Sequence, residues 1–408
     1  MIENTADPRH RWLLLAAACV VVGLGMATIL SLGVFLTPIQ EDMGWGRADV
    51  SGIALLAWSA LGVGSFLWGM LSDRFGIRSV VVAGGLQLGL GLVLASQSST
   101  LWQFYLAFGG LAGLAVGAFY APLTASATQW FRANRGLAVA LVSAGSGLGT
   151  FVLAPLVRGL ISLYGWRPAM LLLGDLVWLL VIPLGLLMRG GPAVEAGSAR
   201  AAATRAEPHW DLQDVLRAPQ FWVIALTHFA CCLAHSGPLF HMVAYATDLG
   251  TARMTAATIF GVSSLASVAG RIGSGMLADR IGCKRTLVAI LAVQAPAILL
   301  YLAAGSSLAL YALGILFGLA YGGVMPLYAL LTREYFGGRA MGGAYGAVFM
   351  LQAIGMGLGM FAGGWFYDHL GGYGWFFVAA GTVGATAVLI ASTLRTPRRA
   401  VVPVAVSA

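Results

Sequence analysis

Two short stretches decide the reading of this chain: GMLSDRFGIR at residues 69–78 and GMLADRIGCKR at residues 275–285. They stand 206 residues apart in a chain of 408. Each ends one apolar run and carries an acid, basic side chains and a glycine toward the next. A stretch that returns after about half the chain marks a duplicated half, and each copy closes the second span of its half. Two such halves place a substrate site between them, near the middle of a bilayer.

The surroundings of the two copies say what the halves are made of. Hydrophobic residues make up 59% of the chain and charged residues only 9%, where a soluble domain carries about 25% charge. Apolar runs long enough to cross a bilayer follow one another. The first half reads as spans over 12–36, 49–71, 79–97, 102–130, 136–163 and 167–189. The second reads as 219–247, 255–278, 286–304, 308–335, 340–367 and 372–394. The expected fold is an all-α polytopic membrane protein, twelve transmembrane helices in two pseudo-symmetric six-helix bundles. The expected units are 1–189, a polar connector at 190–218, and 219–408. The first run follows PRHRW but continues to about Leu36, too long for the core of a signal peptide, and reads as an uncleaved helix.

Basic residues fix the expected orientation. With the N-terminus inside, eighteen of the 23 Lys and Arg fall on the inner face, four (Arg47, Arg158, Arg167, Arg253) on the outer, and Arg271 within the membrane. That bias predicts a membrane protein with both termini and the connector cytoplasmic; a bacterial inner membrane is the expected location. The net charge of +8 sits in these short inner clusters, so no nucleic acid is expected. The four cysteines have no metal-type spacing and read as free thiols. No metal and no cofactor is expected.

Arg271 is the strongest chemical signal. A cation at the centre of a transmembrane helix costs roughly 2.5–3.5 kcal/mol on insertion scales, so it must face protein, water or an anion. A guanidinium takes a carboxylate through two parallel hydrogen bonds. Ser264, Ser267 and Ser274 share its helical face and read as a polar stripe. The competing role is a structural ion pair with Asp175 in the sixth span, although Arg158 lies nearer that acid in depth. Tyr120 and Tyr321 each follow a glycine-rich stretch and read as equivalent positions that donate to a carboxylate, or as packing residues. In the seventh span His228 and His235 share a face, while His241 lies beyond a Gly237–Pro238 break at a depth like that of Arg271. His241, Asp175 and His235 are the candidates for proton coupling or gating. Glycines on the fourth, fifth and eleventh spans give smooth faces for close helix contact. Leu30, Ser146 and Gln352 complete the expected substrate pocket, with Thr28, Ser143, Met325 and Phe349 near it.

The duplicated stretch resembles the loop signature of the major facilitator superfamily. FLTPIQEDMGWGRADVSGI, NRGLAVALVSAGSGLGTFVLAPL and GWRPAMLLLG resemble its monocarboxylate transporter branch and the related oxalate–formate exchangers. The resemblance implies that Asp73, Arg74 and Arg78, with Asp279 and Arg280 in the second copy, hold the cytoplasmic side shut. It also implies that Arg271 binds the substrate carboxylate. The chain departs from the branch at Leu30, where animal members carry lysine, and at Ser267, where they carry an acid. Their acidic-Gly-Gly-Trp motif is absent. The eleventh span offers Gln352 and no second cation, which points to a monoanion.

The expected function is a proton-coupled symporter of small, lactate- or pyruvate-like monocarboxylates working by alternating access. Its partners would be the anion, a proton and membrane lipid, with the chain acting as a monomer. The alternatives are an organic anion exchanger, an exporter of drugs or aromatic acids, and a non-transporting membrane sensor. No nucleophile–base set suggests an enzyme.

Overall fold

The computed structural model describes residues 8–131, 135–189, 210, 212–336 and 341–395. All regular structure among them is helical. Apolar segments of this length must satisfy every backbone N–H and C=O internally when water is absent, and a helix does so within one segment. Among the described residues, twelve helices are long and apolar enough to cross a membrane. They are α1 (Arg11–Met43), α2 (Arg47–Ser72), α3 (Arg74–Ser96), α4 (Leu101–Thr124), α5 (Ala138–Tyr164) and α6 (Trp166–Leu187), then α7 (Pro219–Asp248), α8 (Arg253–Ile281), α9 (Cys283–Ala303), α10 (Ser307–Phe336), α11 (Ala344–Leu370) and α12 (Gly374–Ser392). Large apolar side chains such as Phe66, Leu106, Leu163, Leu179 and Leu389 point outward, as a lipid-facing surface requires. A short helix, Leu212–Arg217, lies in the connector.

The duplication is written into the backbone. Six glycines have positive φ: Gly44, Gly76 and Gly165, and Gly250, Gly282 and Gly371. Each of the second three follows its counterpart at the offset of the two quoted stretches (44 to 250, 76 to 282, 165 to 371). Gly76 (φ 81°, ψ 157°) and Gly282 (φ 88°, ψ 150°) sit inside those stretches and turn the chain in the same way. A side chain at such a φ strains the backbone, so glycine is what lets the long helices fold back there.

Three elements differ from the sequence expectation. α1 runs through Pro38 to Met43 rather than stopping near Leu36. α7 is continuous through Gly237 and Pro238; Gly237 packs against the carbonyl of Gly359 and the Phe376 ring, and this close fit holds the helix together where a break was expected. α4 is instead the interrupted helix. It contains a π-helical stretch, Tyr105–Ala112, and after Val116 two turn hydrogen bonds, Ala118 N–H to Ala115 O and Phe119 N–H to Val116 O, replace the α pattern. Pro122 has no N–H for the carbonyl four residues back, so helix resumes only at Tyr120.

The glycine faces define the seams. On α11, Gly355 and Gly363 pack on Phe229 and His241 of α7, whereas Gly357 and Gly364 pack on Leu55 and Arg47 of α2. On α5, Gly145 and Gly149 face α1, and Gly147 faces Ser264 and Val268 of α8. The bundles therefore meet along α2–α11 and α5–α8, with Gly33 of α1 against Phe240 of α7. The face bearing the start of α1 and the end of α12 is termed proximal below, and the opposite face distal.

Candidate functional site

Helix lengths give the depth of each candidate side chain. Arg271, Ser146 and Gln352 each lie eighteen residues from the distal end of their helices (253 to 271, 164 to 146, 370 to 352), and Tyr120 lies nineteen in (101 to 120). These four form one layer. Leu30, His235 and Tyr321 lie thirteen or fourteen residues in (43 to 30, 248 to 235, 307 to 321) and form the next layer toward the distal face.

Arg271 reaches across the seam. Its Nη1 donates to the Ser143 carbonyl and, at 2.8 Å, to Ser146 Oγ on α5. Ser146 is held for this, since its own hydroxyl donates to Ser143 O at 2.9 Å. The Arg271 Nε is buried and makes no hydrogen bond. No acid of the described residues forms an ion pair with Arg271. The guanidinium is thus fixed at one nitrogen by neutral acceptors and keeps a free N–H edge. Tyr120 lies within electrostatic reach of Arg271, and its ring stacks on Phe349 of α11 at 6.2 Å. A cation, a phenol and an apolar wall converge from α8, α4 and α11.

Other expected residues fall elsewhere. Ser267 and Ser274 turn their hydroxyls onto the α8 backbone, to Ser264 O and Arg271 O, so two of the three serines of the expected polar stripe are spent on their own helix, while the Ser264 hydroxyl is buried without a partner. Tyr120 and Tyr321 are not symmetry mates: the repeat offset carries Tyr120 onto Pro326, not onto Tyr321. Tyr321 stacks on His235 at 5.7 Å, and one heptad away His228 stacks on Tyr328 at 3.8 Å. Both are α7–α10 pairs within the second bundle. His235 Nδ1 donates to Cys231 O at 2.8 Å, which leaves a bare, buried Nε2. Both ring nitrogens of His228 are buried without partners. Leu30 is in the apolar core, against which Tyr120, Met325 and Phe349 pack. Gln352 is buried with Oε1 unpartnered.

Asp175 is exposed on α6 and has no hydrogen-bond or ion-pair partner among the described residues. Arg158 bonds Ser162, not Asp175. An acid on that face is off the route between the bundles. His241 is only seven residues from the distal end of α7, eleven nearer than Arg271 is on α8. At about 1.5 Å per residue this is about 16 Å, so the two are not at similar depth.

The two faces are differently closed. Arg74, Arg78, Asp279 and Arg280 on the proximal face are exposed and form no ion pair among the described residues. The side chain of Asp73 lies outside the described residues. On the distal face, Arg47 of α2 pairs with Asp248 of α7, Arg253 of α8 with Glu41 of α1, and Asp368 of α11 accepts from the N–H groups of Arg47 and Ala48. The sequence reading missed this set, having counted Arg47 only as an outer-face charge. A signal was present: Arg47 and Arg253, and Asp42 and Asp248, are 206 residues apart.

Twelve spans in two repeated bundles, with a cation on their seam that no acid among the described residues neutralises, make the architecture of a membrane carrier. A family model, the Major Facilitator Superfamily, matches residues 13–295 and 237–407. The chain is 30% identical over 387 residues to monocarboxylate transporter 13 of Bos taurus, covering 91% of this chain and 86% of that protein. It is 32% identical over 269 residues to monocarboxylate transporter 11 of Mus musculus, covering 66% of this chain and 59%, less than two thirds, of that longer relative. It is 26% identical over 357 residues to the uncharacterized MFS-type transporter YhjX of Escherichia coli (strain K12), covering 85% and 86%. A crystal structure of a bacterial homolog of the human lysosomal transporter Spinster, inward-facing and occupied, superimposes with a TM-score of 0.75 over 96% of this chain and 98% of that one, at 15% identity. The chain belongs to the major facilitator superfamily, with the monocarboxylate transporters among its relatives, and is a multi-pass transporter rather than an enzyme.

Proposed function

We propose that the chain is a secondary carrier of small monocarboxylates that moves the anion with a proton by alternating access. One observation carries the reading: Arg271 is anchored at Nη1 by neutral α5 acceptors and has a free edge, with no acid among the described residues to neutralise it. A carboxylate satisfies that edge with two hydrogen bonds. Tyr120 is placed to donate to the carboxylate or to a neighbouring oxygen, and Phe349, Met325 and Leu30 bound a small apolar remainder. Gln352 adds a neutral polar group at the depth of Arg271, so a single negative charge suits the site better than two. The names of the relatives support the substrate class. Residues 1–189 and 219–408 act as the moving units joined by 190–218. The proximal face is cytoplasmic, the membrane is the bacterial plasma membrane, and the carrier works as a monomer.

For the proton, His235 is the interior candidate, because its bare Nε2 lies about one turn from the Arg271 layer. Asp175 faces away and drops out. The test is uptake of labelled lactate into proteoliposomes with an imposed pH gradient. Arg271→Gln should lose nearly all uptake at normal abundance. Arg271→Lys should keep a small part of it, having the charge without the fork. Full uptake by Arg271→Gln refutes the carboxylate role, and wild-type uptake that ignores the gradient refutes symport in favour of anion exchange.

A further inference from the structure

We propose that Arg47, Asp248, Tyr373 and His241 form a latch that holds the distal ends of the two bundles together, and that a proton taken up by His241 releases it. The proposal rests on the alternating-access reading but not on the identity of the substrate.

The latch begins with a fork-to-fork ion pair across the seam. Arg47 is the first residue of α2, and its side chain is only 6% exposed. Nη1 meets Asp248 Oδ2 at 2.6 Å and Nη2 meets Oδ1 at 2.8 Å. Nε donates to Gln40 Oε1 at 3.1 Å, and Nη1 also donates to Tyr373 Oη at 2.8 Å. The guanidinium lies 3.6 Å from the Tyr367 ring centroid. Asp368 accepts from the Arg47 and Ala48 N–H groups at 3.2 and 2.7 Å, so a carboxylate of one bundle caps a helix N-terminus of the other. The internal repeat supplies a second pair, Arg253 with Glu41, but its side chains are about half exposed. Asp42, the repeat mate of Asp248, is taken by Trp166 and Arg167 within its own bundle. Only the Arg47 arm of the twofold has a buried guanidinium; its acid, Asp248, keeps 32% of its side chain exposed.

His241 sits at the inner end of that arm, wholly buried. Its Nε2 lies 2.9 Å from the Met360 carbonyl, which can only accept, so Nε2 carries the hydrogen. Its Nδ1 lies 2.9 Å from Tyr373 Oη. The tyrosine donates to Nδ1 and accepts from Arg47, so every polar atom of the chain from Arg47 to Met360 is satisfied, provided the imidazole is neutral. A proton on Nδ1 turns that nitrogen into a donor and leaves the Tyr373 hydrogen without its acceptor. It also adds a second cation one tyrosine hydroxyl away from the Arg47 guanidinium. The groups facing the ring are Arg47 and Ser51 from α2, the Met360 carbonyl and Gly363 from α11, Tyr373 and Phe376 from α12, and Phe240 on α7 itself. Tyr367 reaches it only through Arg47. From α1, Gly33 packs on the neighbouring Phe240 and brings no charge. The two acids of the arm are already held, Asp248 at both oxygens by the Arg47 guanidinium and Asp368 by the Arg47 and Ala48 N–H groups. A charged imidazole is accommodated once the distal ends part and water enters. Protonation and distal opening therefore favour one another, and closure must expel the proton.

The test uses the full chain in lipid nanodiscs, with Cys19 and Cys283 changed to serine and spin labels at Asp49→Cys and Ala252→Cys. Both positions are exposed at the distal ends of the two bundles. Distances are measured at about pH 7.5 and about pH 5.5, the window in which histidine titrates. The open-to-closed ratio should rise on acidification by up to about tenfold per pH unit, the limit for one coupled proton. His241→Gln should remain closed at both values, and Arg47→Gln should be open at both. A wild-type distribution that ignores pH, a pH response retained by His241→Gln, or a closed Arg47→Gln overturns the proposal. If Arg47→Gln does not fold, His241→Gln, which leaves the ion pair intact, decides alone. No substrate is present, so loss of lactate uptake in the earlier experiment would refute that assignment without touching this one.

Discussion

Gly147 offers a sharp test of how Arg271 is held. It lies on α5 next to Ser146, on the face that meets α8. A β-carbon built there would stand 2.6 Å from the Ser264 carbonyl oxygen and 2.7 Å from Cγ2 of Val268, where ordinary contact begins at 3.4 Å. The carbonyl is part of the α8 backbone and cannot turn aside. Gly147→Ala must therefore part α5 and α8 by about 0.8 Å at this level, the difference between 3.4 and 2.6 Å, since close-packed interiors leave no slack to absorb it. The Arg271 Nη1 to Ser146 Oγ hydrogen bond, 2.8 Å in the structure, would stretch to about 3.6 Å and be lost. A hydrogen bond to a charged group is worth roughly 1.5–3 kcal/mol, so apparent substrate affinity should fall by up to about 10- to 150-fold as the guanidinium loses one of its two α5 anchors and keeps the Ser143 carbonyl. The assay is the concentration dependence of uptake in proteoliposomes, beside a thermal melt. Gly273→Ala is the control, because a β-carbon on that α8 residue meets nothing within 4 Å. If Gly147→Ala transports with the wild-type KM, the α5–α8 seam does not position Arg271 and the site has been drawn wrongly.

Gly76→Ala and Gly282→Ala should each cost about 1–2 kcal/mol, since a β-carbon is placed at positive φ; two melts lowered by similar amounts would bear out the repeat, and an unchanged Tm for either would contradict it. Asp175→Asn should leave the pH dependence and rate of uptake unaltered, because its side chain faces out of the bundle; a lost proton gradient response would restore it to the mechanism. Glu41→Gln should change stability by no more than about 1 kcal/mol, as for other exposed pairs, measured by denaturation in detergent. In native protein a maleimide should modify Cys19 and Cys283, which are partly exposed, and spare the buried Cys231 and Cys232; rapid labelling of the buried pair would show that the α7 core opens.

The topology was legible because it rests on features a linear sequence carries: run length, side of charge, and a stretch that returns halfway along the chain. Arg271 was legible for the same kind of reason, being the one basic residue inside an apolar run. Contacts between runs were not. His241 and Arg271 seemed level because both sit mid-run; only the true ends of α7 and α8 reveal how far apart in depth they are. The tyrosines of α4 and α10 looked equivalent because each follows glycines, yet the repeat offset lands on Pro326 instead. Serines near Arg271 looked like ligands, but a serine inside a helix can bond the carbonyl three or four residues back, and Ser267 and Ser274 do. Arg47 was passed over because its partner, Asp248, belongs to the other half of the chain; no local spacing encodes that contact, and only the repeat offset shared by the two pairs hinted at it.

Arg271 and the distal latch are about 16 Å apart along the helices, too far for one to touch the other, so any coupling between them must run through elements that span both levels. Two do. α7 carries His235 in the layer above Arg271 and His241 and Asp248 at the latch. α11 carries Gln352 and Phe349 at the level of Arg271, then packs Gly363 on His241 and places Asp368 on the N-terminus of α2. α11 also touches α7 through one row of glycines and α2 through another, so it cannot shift at one level without shifting at both. A carboxylate that draws Arg271 toward the α4–α11 side therefore biases the same helix that closes the distal face. A helix tied to both levels in this way is the kind of rigid element through which two distant sites can share one equilibrium. With α7 and α11 packed as one body, the Arg47–Asp248 contact acts on the whole distal seam, whereas the Arg253–Glu41 pair, about half exposed, adds little to it.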